Sequence, residues 1–218
     1  METSLNENTY ELLKHDIMSF KLIPGEAVSA AKIAERYKVS RTPAREAIVK
    51  LEKEGLVEII PQSRTLISKI DLRRAEQEWF VRSSLEVDMV PLFIRNCTDA
   101  GIQRLKDNYE QQKKAHTPID TEDYFRLDNE FHSIIYDIAG EQLSNDIIAT
   151  HMTHYNRIRF LTDLSSAIRD KTLHEHEQII EAAEDRDIEW MQAVLKKHIR
   201  RIHAEQNEIV EKYPDYFA

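Results

Sequence analysis

Residues 23–61, IPGEAVSAAKIAERYKVSRTPAREAIVKLEKEGLVEIIP, decide the fold of the N-terminal part of the chain. Apolar spacing predicts a short helix over residues 30–37 with Ser29 as its N-cap, and then a tight turn at 38–40. A second helix follows, which we expect Thr42 to cap and Gly55 to end. With a helix over residues 10–19 before this pair, the pattern is typical of a helix-turn-helix.

A change to strand-like sequence follows Gly55. The runs LVEII (56–60) and RTLISKI (64–70) are rich in β-branched residues, and Pro61-Gln62-Ser63 predicts a turn between them. Three helices followed by a two-stranded hairpin form a winged helix-turn-helix. We therefore expect a DNA-binding domain over residues 1–70.

The remainder of the chain shows only helical patterns. Pro91 is expected to kink or break the first of six predicted helices. These helices span about 72–96, 99–116, 120–139, 142–163, 167–186 and 187–212. The fold class is therefore mainly α, with an all-helical second domain over residues 71–218.

The net charge of −9 on 218 residues argues at first against a nucleic-acid partner, because phosphate binding needs clustered cations. The charge is unevenly distributed. Residues 1–70 carry 11 Lys and Arg against 10 Asp and Glu, whereas the rest carries 19 against 29. A locally basic helix-turn-helix on an acidic chain is consistent with DNA binding.

Cys97 is the single cysteine, which excludes an internal disulfide and a thiolate metal cage. No apolar run approaches the roughly 20 residues that cross a bilayer, and the first residues do not resemble an export signal. We therefore expect a cytoplasmic location and no membrane partner.

The second helix of a helix-turn-helix enters the major groove, and its first residues meet base edges and phosphates. Arg41 and Arg45 lie four residues apart, on one face of that helix, where guanidinium groups can bind guanine or phosphate. The alternative is a solvated basic face, which the helix-turn-helix spacing disfavours. The expected DNA contacts are Arg36, Ser40, Arg41, Thr42, Arg45 and Arg64 in the wing.

Four polar residues interrupt apolar helical stripes in the second domain: Asp128 and His132 on one helix, and His176 and His198 on two others. A buried carboxylate normally faces a cation or hydrogen-bond donors. One carboxylate and three imidazoles would suit Zn²⁺ first, and also Ni²⁺ or Mn²⁺. The alternative is a hydrogen-bonded polar network without metal.

The N-terminal motifs resemble those of the GntR family of bacterial transcription regulators. They are the Pro24-Gly25 turn, SRTPAREAI (40–48) and LEKEGLV (51–57). Members of that family usually have a glycine near the tip of the wing, where this chain has Gln62-Ser63-Arg64. The resemblance implies a DNA-binding domain that contacts its operator through the second helix of the motif.

The second domain resembles the FCD effector-binding domain of the FadR subfamily, in its six-helix, VanR-like version. Its marks are Arg82-x-x-Leu85-Glu86, Asp128-x-x-x-His132, and Glu175-His176 followed by His198. The resemblance implies that Asp128 and the three histidines bind a divalent metal ion. It also implies a homodimer on a palindromic operator, acting as a repressor.

In that family a cavity beside the metal receives a small carboxylate metabolite. Because guanidinium binds carboxylate bidentately, Arg82, Arg157 and Arg159 are candidate effector contacts, together with His154. A structural role is the alternative for each of them.

Two other functional classes are alternatives for this sequence. A metal-dependent hydrolase with an appended winged helix could use Glu130 or Glu175 as a base, yet the chain has no HExxH motif, nucleophile elbow or phosphate loop. An architectural DNA-binding protein would leave the polar groups of the helical domain unexplained. We therefore expect a ligand-responsive transcriptional regulator and not an enzyme.

Overall fold

A computed structural model describes residues 5–116 and 120–218, so the first four residues of the expected DNA-binding domain lie outside the described residues. The N-terminal elements are α1 Leu5–Met18, β1 Ala27–Val28, α2 Ala30–Tyr37, α3 Arg41–Lys53, β2 Val57–Ile60 and β3 Arg64–Ile67. The helices that follow are α4 Leu72–Asp88, α5 Val90–Asn96, α6 Asp99–His116, α7 Thr121–Ala139, α8 Gln142–His151, α9 Thr153–Thr162, α10 Ser166–Glu184 and α11 Ile188–Lys212. A short 3-10 turn, Pro214–Tyr216, comes last. Along the described ranges, no helix combines the length and the apolar character that spanning a membrane requires.

The predicted winged helix-turn-helix is confirmed, with one correction at the start of α3. Ser29 caps α2 by accepting a hydrogen bond from the Lys32 amide at 3.2 Å. Helix α3 begins at Arg41, so its N-cap is Ser40, and the prediction of Thr42 as the cap was wrong. The early start costs no hydrogen bond at Pro43, because the first four residues of a helix have no intrahelical acceptor for their N–H groups.

The wing is a three-stranded antiparallel sheet in the order β1-β3-β2. The predicted hairpin pairs Ile59 with Thr65, and β1 adds Ala27 opposite Leu66. A two-residue strand such as β1 is too short to show a sequence period. At the tip, Gln62 has φ +57°, the left-handed conformation that favours glycine, so this chain builds the turn without one.

The core of the DNA-binding part forms where α1 packs on α3. Leu13, Ile17, Leu51 and Leu56 are completely buried there. The spacing of Leu13 and Ile17 on one face of α1 matches the spacing of Ala47 and Leu51 on α3. This core fixes the first turn of α3 at the surface.

Two of the six predicted bundle helices are each divided in two. The range 72–96 breaks at Met89 because Pro91 cannot donate an amide hydrogen bond within a continuing helix, as the sequence predicted. The range 142–163 was predicted as one helix and this was wrong, since it breaks at Met152. The buried carboxylate of Glu78 accepts the backbone N–H groups of His154 at 2.9 Å and Tyr155 at 2.8 Å, which caps a new helix at that point.

Packing of α7 on α6, and of α10 on both α6 and α11, forms the core around the functional residues. Phe131, Ile135, Ile179 and Leu195 are completely buried in this core. Polar side chains on the same inward faces are therefore brought together away from solvent.

We predict that Leu51→Ala lowers the free energy of unfolding of the DNA-binding part by about 2–5 kcal/mol, because it leaves a cavity in a closed core. Val49→Ala on the same helix, where the side chain is 40% exposed, should change it by less than about 0.5 kcal/mol. Urea unfolding followed by amide exchange in α3 measures both. Equal losses in the two variants would contradict this packing.

Candidate metal centre and DNA-binding surface

The structure brings together the four residues that the sequence singled out as metal ligands. Asp128 and His132 on α7, His176 on α10 and His198 on α11 are all buried, and one ligand atom from each lies within 4.8 Å of the others. The Nε2 atoms of His132 and His198 are 3.2 Å apart. His176 Nε2 lies 3.5 Å from Asp128 Oδ1. Nitrogen and oxygen ligands therefore face a common centre.

Carboxylates lie against the outer nitrogens of two of the rings. His198 Nδ1 is 2.9 Å from Glu175 Oε2, and His132 Nδ1 is 2.8 Å from Glu86 Oε2. A carboxylate can only accept a proton from the ring, so the hydrogen bond to Glu175 places the hydrogen of His198 on Nδ1. The contact of Glu86 with His132 does not have the geometry of a hydrogen bond, but it favours the same tautomer. A proton on Nε2 instead would set a lone pair of Nδ1 against a carboxylate oxygen.

An amide oxygen faces the outer nitrogen of the third ring, His176. Gln112 donates through its Nε2 to Asn108 Oδ1 at 2.7 Å, which turns its carbonyl oxygen toward His176 Nδ1 at 2.9 Å. The Nδ1 of His176 therefore also carries the proton. All three histidines present unprotonated Nε2 atoms to the centre, in the form in which imidazole binds metals.

The charges of the cluster favour a cation at its centre. Burial opposes ionisation of Asp128, but the guanidinium of Arg159 holds the pKa of this carboxyl below its usual range. Burial lowers the pKa values of His176 and His198 well below the usual imidazole value, so both rings are neutral at pH 7. The site thus combines one carboxylate with the two neutral rings of His176 and His198.

His176 Nε2 is completely buried and has no hydrogen-bond partner. Unpaired acceptors in a buried site are unfavourable unless a cation or a donor satisfies them. Three inward lone pairs and a carboxylate oxygen are the ligand types that Zn²⁺ and other divalent transition metals prefer. The residues present therefore fit a divalent metal ion.

Two cavities flank the cluster. A cavity of about 160 Å³ is lined by Arg82, His132 and Tyr136, and by the polar side chains Asn129, Ser133, Asn145 and Asn156. The Tyr136 hydroxyl is buried without a hydrogen-bond partner. On the other side, a cavity of about 30 Å³ lies between Asp128, Asp163 and Arg201. The larger cavity offers hydrogen-bond donors next to the metal ligands.

The four candidate effector contacts occupy two different places. Arg82 lines the larger cavity and donates to Glu86 at 2.6 Å. Arg159 donates to Asp128 and, at 2.8 Å, to Asn129. His154 and Arg157 do not reach either cavity, and instead lie where the helical part meets the DNA-binding part.

The first turn of α9 contacts the end of α3 and the start of α4. Thr153 Oγ1 donates to the carbonyl of Glu54 at 3.0 Å, and the amide of Asp71 donates to His154 Nδ1 at 2.9 Å. Burial, with the nearby charges of Arg157 and Arg74, lowers the pKa of His154 to about 3. This ring is therefore a neutral hydrogen-bond partner at physiological pH.

Arg157 and Arg159 extend the contacts of α9 in two directions. Arg157 is completely buried and donates to the carbonyl of Ser68 at 2.7 Å, within the segment between β3 and α4. Burial lowers its pKa to about 10, so it remains cationic. Arg159, two residues on, holds the metal-ligand candidate Asp128. A single short helix thus contacts both the DNA-binding part and the cluster formed by Asp128 and the three histidines.

The surface expected to face DNA is exposed at the start of α3. Ser40, Arg41, Thr42 and Arg45 are exposed, and neither arginine forms an ion pair with a described residue. Arg64 is exposed at the start of β3.

Arg36 differs from the other expected DNA contacts. Its guanidinium pairs with Asp16 of α1, with nitrogen–oxygen distances of 2.7 and 2.8 Å. It is therefore engaged within its own domain.

Sequence reasoning did not identify Gln112 and Glu175 as the partners of the outer nitrogens of His176 and His198. Gln112 and Asn108 interrupt an apolar stripe on α6, so the signal that found the histidines also marks them. In the sequence, Glu175 is part of the Glu175-His176 motif of the FCD resemblance and, with Glu130, a base for the hydrolase alternative, but no pattern pairs it with His198. The structure places Glu175 on His198, whereas Glu130 is exposed and pairs with Arg126 at 3.0 Å.

Comparison with known families identifies both parts of the chain. Residues 5–67 match the model of the bacterial regulatory proteins of the gntR family. Residues 79–201 match the FCD domain.

Individual proteins agree with the family models. The HTH-type transcriptional repressor RspR of Escherichia coli K12 is 28% identical over 214 residues, which cover 98% of this chain and 94% of that protein. The structure of E. coli McbR/YncC superposes with a TM-score of 0.81 at 20% identity, over 94% of this chain and 98% of that one. A putative GntR regulator from Rhodococcus sp. RHA1 gives 0.77 at 17% identity, over 93% and 97% of the two chains. The chain is thus a transcriptional regulator, not an enzyme, and belongs to the GntR family, in the FadR-type subfamily that carries an FCD domain.

Proposed function

We propose that this chain is a repressor that binds a palindromic operator as a homodimer. Binding of a small carboxylate beside a metal ion lowers or raises its affinity for that operator. The observation that carries the proposal is the double contact of α9, with Asp128 through Arg159 and with the DNA-binding part through Thr153 and Arg157. Residues 1–70 serve as the DNA-binding unit in this proposal, and residues 71–218 as the sensing and dimerising unit. Its place of action is the cytoplasm, where bacterial DNA lies.

DNA recognition is assigned to the exposed first turn of α3. Arg41 and Arg45 are exposed and free to bind guanine edges or phosphates, with Ser40 and Thr42 beside them. Arg64 in the wing is assigned to the phosphate backbone, and Arg36 would reach DNA only by leaving Asp16. A single small module binds weakly, so a dimer on two half-sites raises the affinity through effective concentration. The relative RspR is named a repressor, which supports repression here.

The metal site is assigned to Asp128, His132, His176 and His198, with zinc as the proposed ion and nickel or manganese as alternatives. When bound, the ion supplies a positive centre that can attract a carboxylate. The protein's own contribution is orientation, because Glu86, Gln112 and Glu175 each fix the proton of one ring on Nδ1.

The effector site is assigned to the cavity of about 160 Å³ beside His132. Arg82 provides a guanidinium there, and the Tyr136 hydroxyl is a free hydrogen-bond donor. Asn129 lines the same cavity and accepts from Arg159 of α9. Suppose that a ligand binds this cavity more tightly in one arrangement of α9 than in another. It would then shift the DNA-binding part toward that arrangement, because coupling requires a difference in affinity.

We predict that Arg41→Ala and Arg45→Ala each weaken operator binding by about 1–3 kcal/mol, or roughly 5- to 150-fold, because each loses a contact to a base or phosphate. The affinity is measured by fluorescence anisotropy at fixed salt, on an operator selected from random duplexes. Arg73→Ala removes an exposed arginine from α4 instead, and this variant should bind the operator as the wild type does. Wild-type affinity in both α3 variants would rule out this surface.

We predict one divalent ion per chain in protein purified without chelator, measured by elemental analysis. His176→Ala should reduce Zn²⁺ affinity by more than the 10- to 100-fold that is typical of losing an outer-shell partner, because it removes a ligand. His174→Ala is the matched control, since His174 lies on the same helix with its side chain 65% exposed. If the wild type neither contains nor takes up an ion, the four residues form only a polar core network.

A third prediction concerns the contact through α9. At a free Zn²⁺ concentration of about 100 times Kd, binding stabilises the folded state by about 2.7 kcal/mol. In the wild type, slowly exchanging amides of both α3 and α10 should then exchange roughly 100-fold more slowly, because the two parts unfold together.

In Arg157→Met the slowing should persist in α10 and fall below about fivefold in α3, because the main contact with Ser68 is lost. Arg126→Met, at an exposed arginine of α7, should behave as the wild type does. Undiminished protection of α3 in Arg157→Met would show that α9 does not carry the coupling through this residue.

A further inference from the structure

A groove on the outer side of α10 and α11 has no role in the function described so far. Its volume is about 570 Å³, within the range of small-molecule sites. Four cationic side chains and two imidazoles line it: Lys171, Lys197, Arg200, Arg201, His174 and His203. Such a lining stands out on a chain whose net charge is −9.

Carboxylates only partly neutralise this groove. Glu175 accepts from Arg201 and lies 3.8 Å from Lys197. Glu205 lies 3.6 Å from both Lys171 and Arg201. Two carboxylates therefore face four cations.

Arg200 adds to this surplus of positive charge. It forms no ion pair with any residue that the structure describes. The surplus positive charge attracts anions to the groove.

Arg201 forms the floor of the groove and is held in place. Its side chain is 16% exposed, and it donates to Glu175 and, at 2.5 Å, to Thr172 Oγ1. A guanidinium fixed in this way binds an anion with little further loss of side-chain entropy. Lys171 on one wall and Lys197 on the other can reach a second anionic group.

We propose that this groove binds a small molecule that carries two or more anionic groups, either carboxylates or phosphates. The site differs from the cavity beside His132 and requires neither a metal ion nor DNA. Its floor is nevertheless next to the metal cluster, because Glu175 contacts both Arg201 and His198. An anion on Arg201 competes with Glu175 for the guanidinium, which gives the groove a direct way to act on the cluster.

The test is a calorimetric titration with two probes, tricarballylate for carboxylates and inorganic phosphate for phosphates, at constant ionic strength with acetate as the monovalent control. Trp79 fluorescence gives a second readout, since its ring lies edge-on to His203 with centroids 4.3 Å apart. We expect saturable binding of at least one probe. Lys197→Gln/Arg200→Gln should weaken it by at least about tenfold, because each lost cation removes a charge-assisted contact.

Two controls distinguish the alternatives. Lys114→Gln/Lys196→Gln removes the same charge from exposed positions outside the groove and should leave binding unchanged. His132→Ala should also leave it unchanged, and loss in that variant would assign the probe to the proposed effector cavity instead.

Besides loss of binding in His132→Ala, three further results would overturn the proposal. They are no saturable binding by the wild type, an equal loss in the Lys114/Lys196 control, or a loss of affinity for unselected duplex DNA in the groove variant alone. The last result would assign the groove to DNA phosphates. The stronger of the two probes identifies the anion class.

Discussion

Three buried imidazoles whose outer nitrogens all face acceptors are the constraint on which the rest of this structure depends. Glu86, Gln112 and Glu175 leave no proton for the inner nitrogens of His132, His176 and His198. Lone pairs therefore meet in a closed core together with the carboxylate of Asp128. These acceptor atoms are unfavourable together in a closed core and favourable around a cation. The fold thus has a set of cation ligands at a position where a core would otherwise be apolar.

The same cluster is one of the contacts that hold α9 in place. Asp128 needs a partner on the side away from the histidines, and Arg159 provides it from α9. The first turn of α9 is in turn capped by Glu78 and bound to Glu54 and the Ser68 carbonyl. One helix of ten residues, α9, thus contacts both Asp128 and Glu54 at the end of α3.

Much of this architecture could be predicted from the sequence, for identifiable reasons. The helix-turn-helix was recognisable because Ser29, Pro43 and Gly55 mark helix ends, and the ligands because Asp128 and His198 interrupt apolar stripes. The break at Met152 could not be predicted, because it is caused by the carboxylate of Glu78 on α4, 76 residues before the His154 amide that it caps. The observed neighbours of His154 and Arg157 could not be predicted either, because Asp71 and Ser68 lie 83 and 89 residues away in sequence.

The most direct test of this account is the position of the ring protons. Long-range ¹⁵N–¹H correlation spectra of metal-free protein report which nitrogen of each histidine is protonated. We expect a proton on Nδ1 and a bare Nε2 for His132, His176 and His198, with the Nε2 signals moving when Zn²⁺ is added. A proton on Nε2 of His132 or His198, joining these atoms across 3.2 Å by a hydrogen bond, would contradict it.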